Sequence, residues 1–361
     1  MLGEIVADVH ARASAEHAGE VASYIPVLAE ADPEDFGLAI VTSSGDVHTA
    51  GDADVEFTIQ SVSKPFSLAL ALATCGHEAT YARVGTEPSG DSFNSVVLDP
   101  ATSVPFNPMI NSGAIAMTGL LRDTYGPDAF DEIKRGYERF AGADLGYDNE
   151  VYESELATAH RNRAIAHLMR GGGVVTDPVE DVVALYTRQC SLTVTATKLA
   201  TMAATLANVG TNPVTDDVVV DPLTVRHVLS LMFTCGMYDY AGRWAVDVGM
   251  PAKSGVSGGV MAVVNRQIGV GLYSPRLDEH GNSVRGIKAC VQLAEELGLH
   301  SFEFSNTGSS LLRRCHGGEL RRGHRQAALA GVEGHHVLDR IGHHPTPAHQ
   351  MGDGPVAMRR G

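Results

Sequence analysis

Tryptophan occurs once in these 361 residues, aromatic residues make up 6%, and there are only five cysteines. Cys75, Cys190, Cys235, Cys290 and Cys315 are odd in number, widely spaced and never in a C-x-x-C pair. A disulfide framework and a zinc ribbon are thereby excluded, and the thiols are expected in or near the core. No apolar run reaches 18 residues, so no membrane span is expected. The opening Met1-Leu2-Gly3-Glu4-Ile5-Val6-Ala7-Asp8 has neither a basic start nor an apolar h-region, which points to a cytoplasmic protein without a secretion signal. Positive charge is scarce: 27 Lys and Arg stand against 43 Asp and Glu, a net −16. That field repels phosphate and argues against a nucleic acid or an anionic membrane as partner. What is present is ordinary globular material, 44% hydrophobic with 39 Gly and 16 Pro, enough for one large domain or two medium ones.

The charge is uneven along the chain. From Ser301 onward eight arginines meet five acids, leaving the tail near +3 and the rest near −19. The tail is rich in His, Arg and Gly, as in Gly334-His335-His336 and Gly342-His343-His344-Pro345, and has no sustained apolar period. We read 307–361 as a poorly ordered extension and 1–306 as the folded body. The His pairs read as a surface tract rather than a metal site.

Within the body, Phe36 to Val41 is an apolar run typical of a buried strand. Ser43-Ser44-Gly45-Asp46 is turn chemistry, and Val47 to Ala50 pairs back as a hairpin. Beyond Pro65 the text becomes helical, with Ser67 to Thr74 rich in Ala and Leu. Leu199, Met202, Ala203 and Leu206 recur at helical spacing behind Thr195 as cap, with Gly210 as the expected stop. Strand text returns at Gly259 to Val264 and Ile268 to Tyr273, joined by Asn265-Arg266-Gln267, and a final helix is expected from Val284 to Leu299. The expected fold is therefore α/β (α+β): an antiparallel sheet from about 20–60 and 250–300, flanked by helices, with an all-helical lobe over about 65–235. A cleft between sheet and lobe is the natural place for a site.

Ser61-Val62-Ser63-Lys64 is an S-x-x-K sequence at the change from strand to helix. Three residues apart on a helix, a hydroxyl and an amine share one face, and a desolvated lysine can take the proton a serine must lose to become a nucleophile. Alone the pattern is weak. Lys253-Ser254-Gly255, which resembles the K-T-G element that accompanies S-x-x-K, sharpens it, because the chain has only five lysines. The S-D-N element that completes that set has no convincing match. Three other patterns are set aside. Gly255-Val256-Ser257-Gly258-Gly259 spells G-x-S-x-G, but strand text follows where a nucleophile elbow needs a helix. Gly249 to Ser254 lacks the glycine that precedes a P-loop lysine, and Gly269-Val270-Gly271 lacks the third glycine of a dinucleotide loop.

Over about residues 8 to 305 the chain resembles the serine-dependent glutaminases of bacterial and kidney type, whose fold is β-lactamase/transpeptidase-like. The stretches that carry the resemblance include Phe57 to Lys64, Val84 to Gly90 with Phe93-Asn94-Ser95, Asn107 to Ile115, and Ser154-Glu155 with Arg161-Asn162. Tyr186 with Gln189-Cys190-Ser191, Met202 to Asn208, Cys235 to Asp239 and Pro251 to Val256 continue it. Ser112, where many members carry Ala, is a small departure.

The resemblance implies hydrolysis of L-glutamine to L-glutamate and ammonia, with Ser61 as nucleophile, Lys64 as its base and Tyr238 as a proton relay near the reacting centre. It implies an oxyanion hole from the amides of Ser61 and Val256. For the substrate it implies Glu155 against the α-ammonium, with Asn111, Asn162 and Tyr186 as polar contacts and Tyr24 at the pocket mouth. Neither a cofactor nor a metal is implied; L-glutamine and water are the partners, and a homodimer or homotetramer is the implied assembly. Lys253 keeps two readings, as a charge in the site or as a structural cation beside Ser61. A β-lactamase, D-alanyl peptidase or esterase using the same pair is the alternative enzyme, and a glutamine-binding protein without catalysis is the alternative outside enzymes.

Overall fold

The computed structural model describes residues 1–23, 25–90 and 95–302. Tyr24, Phe93, Asn94 and the predicted 307–361 extension, Cys315 included, lie outside the described residues. In chain order the elements begin with helix α1 (Leu2–Ser14), the hairpin β1 (Gly37–Thr42) and β2 (Val47–Gly51), and the short β3 (Phe57–Thr58). A helical block follows: α2 (Lys64–Tyr81), α3 (Asn111–Tyr125), α4 (Ala129–Ala141), α5 (Asn149–Thr158), α6 (His160–Gly171) and α7 (Val179–Cys190), with β4 (Gly146–Tyr147) inside it. The chain continues through β5 (Leu192–Val194), α8 (Ala196–Ala207), α9 (Pro222–Cys235) and α10 (Ala241–Asp247). It closes with β6 (Ala252–Ser254), β7 (Gly259–Val264), β8 (Ile268–Tyr273) and α11 (Val284–Leu297).

The two ends of the body meet in one antiparallel sheet of order β2-β1-β8-β7-β6, as the apolar runs predicted. β1 is buried on both faces, so it reads as a continuous apolar run rather than an alternation. Leu38 and Ile40 face the core shared with α1 and α11, while Ala39 and Val41 face the core of the helical lobe. Three layers result, with the sheet in the middle.

Several boundaries differ from expectation. Phe57-Thr58 is not part of the main sheet: it pairs with Val194-Thr193 in a separate three-stranded sheet of order β3-β5-β4, which ties the segment leading to Ser61 to the lobe. Helix α1 was not anticipated; it buries Val6, Val9 and Ala13 against the sheet's outer face. Helix α8 begins as predicted, with the Thr195 hydroxyl accepting the Lys198 amide at 3.1 Å. It stops at Ala207, before Gly210, because Val209 and Gly210 already adopt positive φ. The final helix ends at Leu297, where Gly298 takes the left-handed conformation at its C-terminus.

Gly269 and Gly271, rejected above as a dinucleotide loop, have a packing role. A Cβ on Gly269 would strike the α8 backbone at Ala204, and one on Gly271 would strike Ala196 and Ala200. Bare backbone on β8 and alanines on α8 let helix and sheet approach closely at the centre of the molecule.

Candidate active site

Ser61 sits in a single 3-10 turn, Gln60–Ser63, that runs directly into α2, with Pro65 near the helix start where a missing N–H does no harm. The residue before it, Gln60, is held at φ 47°, a left-handed conformation rare for a side chain of this size. The other wall comes from the loop after β6. A Cβ on Gly255 would lie 3.0 Å from Val62 Cγ2 and 3.2 Å from the Ile59 carbonyl oxygen, so the glycine lets that loop close on the Ser61 turn. Val256 follows and faces the same space.

That space is a cavity of about 210 Å³ lined by Ser61, Asn111, Glu155, Asn162, Tyr186 and Val256, together with Ile25, Gln60, Thr158, Ala159 and Arg161. Six of the residues named from the sequence are thus brought together. Tyr24 lies outside the described residues, although its neighbour Ile25 is part of the wall. Asn111, Glu155, Asn162 and Tyr186 are delivered by four different helices. Asn111 opens α3, where the Asn107 carboxamide accepts the Met109 amide at 3.0 Å and shapes the approach. Glu155 belongs to α5, capped by Asp148, whose carboxylate accepts the Val151 amide at 2.9 Å.

Lys64 is 1% exposed, and its amine donates to Asn111 Oδ1 at 2.7 Å. Asn111 in turn donates from Nδ2 to Asn162 Oδ1 at 3.1 Å, and Tyr186 Oη donates to Asn111 Oδ1 at 3.4 Å. The S-D-N letters are missing, yet an asparagine stands against the lysine. Burial lowers the Lys64 amine to about 8, with Glu155 opposing the shift. Burial raises the Glu155 carboxyl to about 7, against the hydrogen bond from Gln60 and the Lys64 charge.

Tyr238 occupies the turn after α9 at φ 58°. Its hydroxyl donates to the Ser254 carbonyl at 2.8 Å, and burial pushes its pKa up while the nearby Ser61 side chain opposes that push. Lys253 is fully buried and donates to the Gly236 carbonyl at 2.9 Å and the Ser254 carbonyl at 2.7 Å, its nitrogen 4.1 Å from the Tyr238 ring centroid. These backbone contacts on both sides of Tyr238 favour the structural reading of Lys253. Among the described residues no three His, Cys, Asp or Glu side chains are gathered as a metal would need, and no helix is long and apolar enough to cross a membrane. Cys75, Cys190, Cys235 and Cys290 are free thiols.

Some participants carried no local signal. Gln60 donates from Nε2 to Glu155 Oε2 at 3.2 Å across 95 residues of sequence. Cys190 touches both Tyr186 and Ser63. Arg161 lines the cavity as its one arginine and is exposed. Ser112, beside Asn111, has a buried hydroxyl without a partner among the described residues. Ser112→Ala is expected to stabilise the fold by about 1 kcal/mol, because it removes an unmade hydrogen bond and little volume. A rise in thermal midpoint checks this; a fall would reveal a partner for the hydroxyl.

An antiparallel sheet between helical layers, with a buried serine and lysine one turn apart at the head of a central helix, defines the β-lactamase-like class. Within that class, the family model described as Glutaminase matches residues 19–302, and the chain belongs to the glutaminase family. It is similar to Glutaminase 1 of Bradyrhizobium diazoefficiens, 50% identical over 293 residues, which is 81% of this chain and 48% of that one. The chain thus spans about half the length of that relative. Against the Glutaminase of Trichormus variabilis it is 46% identical over 299 residues, covering 83% of this chain and 90% of the relative. Among solved structures, Mglu in its glutamate form superposes with a TM-score of 0.79 at 46% identity, covering 83% of this chain and 69% of that one.

Proposed function

We propose that the protein is an amidohydrolase that converts L-glutamine and water to L-glutamate and ammonia through an acyl-enzyme on Ser61. The observation that carries this reading is the single cavity that holds the Ser61 hydroxyl, the Glu155 carboxylate and the carboxamides of Asn111 and Asn162. A zwitterion with a neutral side-chain amide matches that set, and a substrate lacking either charge would leave buried polar groups unpaired.

In this reading Glu155 meets the α-ammonium, while Asn111, Asn162 and Tyr186 hold the carboxylate end, with Tyr24 assigned to the mouth by family resemblance alone. Neutral Lys64 takes the Ser61 proton as Oγ attacks the side-chain carbonyl carbon. The resulting oxyanion is stabilised by the amides of Ser61 and Val256. The C–N bond then breaks as the nitrogen receives a proton, relayed by Tyr238, and leaves as ammonia. Water attacks the ester, Ser61 recovers its proton and glutamate departs. That a relative was solved in its glutamate form supports glutamate as the ligand of this cavity. Residues 1–306 form the catalytic domain in this proposal, and a homodimer or homotetramer in the cytoplasm belongs to it through the family.

The reading is tested by coupled detection of ammonia from glutamine, with mass spectrometry after a reactive glutamine analogue to identify the labelled side chain. No ammonia and no adduct on Ser61 would overturn it. The pH dependence has a definite sign. Lys64 must be neutral to act, so kcat is expected to rise with pH and level off above about 8. Glu155 must be ionised to hold the ammonium, so KM is expected to rise as pH falls below about 7. Steady-state profiles measured across these values check both; a kcat flat through them would remove Lys64 as the base.

A further inference from the structure

Under the Ser61 turn lies a set of buried polar side chains that the chemistry above does not use. Tyr137 of α4, Ser67 of α2, Gln189 of α7 and Thr118 of α3 are each at most 3% exposed, within an otherwise apolar core. Tyr137 Oη lies 2.5 Å from Ser67 Oγ, 3.2 Å from the Ser63 carbonyl oxygen and 3.3 Å from Gln189 Oε1. Ser67 donates to Gln189 Oε1 at 2.9 Å, and Gln189 Nε2 donates to Thr118 Oγ1 at 2.9 Å and the Leu185 carbonyl at 3.3 Å. The Thr118 hydroxyl is spent on the Ala114 carbonyl at 2.9 Å. With Ser67 and Thr118 committed, the Tyr137 proton has the Ser63 carbonyl, Ser67 Oγ and Gln189 Oε1 as acceptors, so every donor is used.

Three of the four helices so joined carry site residues. Lys64 opens α2, Asn111 opens α3 two turns before Thr118, and Tyr186 precedes Gln189 by one turn on α7. Helix α4 supplies none of the cavity's lining residues; its tyrosine ring packs in the core and its hydroxyl reaches this network. Apolar side chains of similar volume would pack here without desolvating hydroxyls, so the hydrogen bonds matter for register rather than for burial. The charged and titratable groups around Lys64 include Glu155 from α5, Cys190 and Tyr186 from α7, the latter sharing Asn111 Oδ1 with the amine, and Lys253 from β6, none of which belongs to the network.

We propose that Tyr137, with Ser67 and Gln189, is a positioning residue for Lys64: it clamps the first turn of α2 against α3 and α7, keeping the amine dry and aimed at Asn111. This rests on the reading of Lys64 as base. Loosening the clamp admits water to the amine and returns it toward an ordinary lysine, charged at neutral pH, while Glu155 on α5 and Asn162 on α6, which the network does not join, keep hold of the substrate.

The test uses the full chain with Tyr137→Phe, which keeps the ring packed against Phe66, and separately Ser67→Ala. Ammonia release is followed across pH, and folding is checked by circular dichroism. The expected result is an acid limb of kcat moved up by about one pH unit, a roughly tenfold loss at neutral pH recovered at alkaline pH, and KM within about twofold of wild type. An active wild type with both variants' acid limbs unmoved overturns the positioning role and leaves the glutaminase reading intact. Failure of both variants to fold also overturns it, since the network is then ordinary core. A wild type that releases no ammonia overturns the glutaminase reading and this inference together.

Discussion

Ser61→Ala is expected to lower kcat for glutamine hydrolysis by roughly 10⁴-fold or more while the protein still folds and binds glutamate. The substitution removes one oxygen from a residue that is 6% exposed, and the carboxylate and carboxamides that line the same cavity stay where they are. Lys64→Met is expected to fall nearly as far, and the double variant hardly further, because a nucleophile and its base act as one unit. Methionine suits the test, since it fills a similar volume and leaves no buried cation unpaired. Calorimetric titration with glutamate separates lost chemistry from lost binding. Near wild-type turnover in either single variant would end the Ser/Lys assignment.

The second large effect is at Glu155. Glu155→Gln keeps the shape and the contact with Gln60 but withdraws the countercharge from the substrate ammonium. Removing one member of a buried ion pair typically costs about 3 to 5 kcal/mol, so kcat/KM for glutamine is expected to fall by roughly two to nearly four orders of magnitude. The free protein should respond in the opposite sense. Burial raises this carboxyl from 4.5 to about 7, so between those values the folded state holds a proton the unfolded chain has lost. Its contribution to stability is therefore present below 4.5 and lost as pH rises through 7. Thermal unfolding at two pH values on either side of 7 should show the wild type losing ground to Glu155→Gln on the alkaline side. Equal midpoints throughout would mean the carboxylate is better solvated than its position indicates.

How much of this was legible depended on chain distance. Ser61 and Lys64 are readable because a helical turn sets their relationship locally. Lys253-Ser254-Gly255 added a second ordered element, and Gly255 proves to ease the close approach of its loop to Val62 and Ile59. The hairpins β1–β2 and β7–β8 were visible because turn residues and apolar runs are contiguous. The small sheet was not, since β3 finds its partner over 130 residues away and contributes two residues. Gln60 and Tyr137 were invisible as functional groups for the same reason: the partners that give them a role lie on other helices. Roles for Asn111, Glu155, Asn162 and Tyr186 came from family resemblance. Taken singly, an asparagine or a glutamate on a helix reads as surface, and only the converging geometry distinguishes these four.

Gln60, the residue before Ser61, and Tyr238 both hold a side chain in backbone conformations that suit glycine, at φ 47° and 58°. Each such conformation costs on the order of 1 kcal/mol or more and persists only where the surroundings enforce it. Glycine at either place would relax the chain, but it would also delete the group that steadies Glu155 or the phenol that reaches Ser61. Deleting a buried aromatic side chain costs about 3 to 5 kcal/mol, more than the strain that glycine would release, so at position 238 durability and turnover favour the same residue and the awkward backbone is retained on both counts.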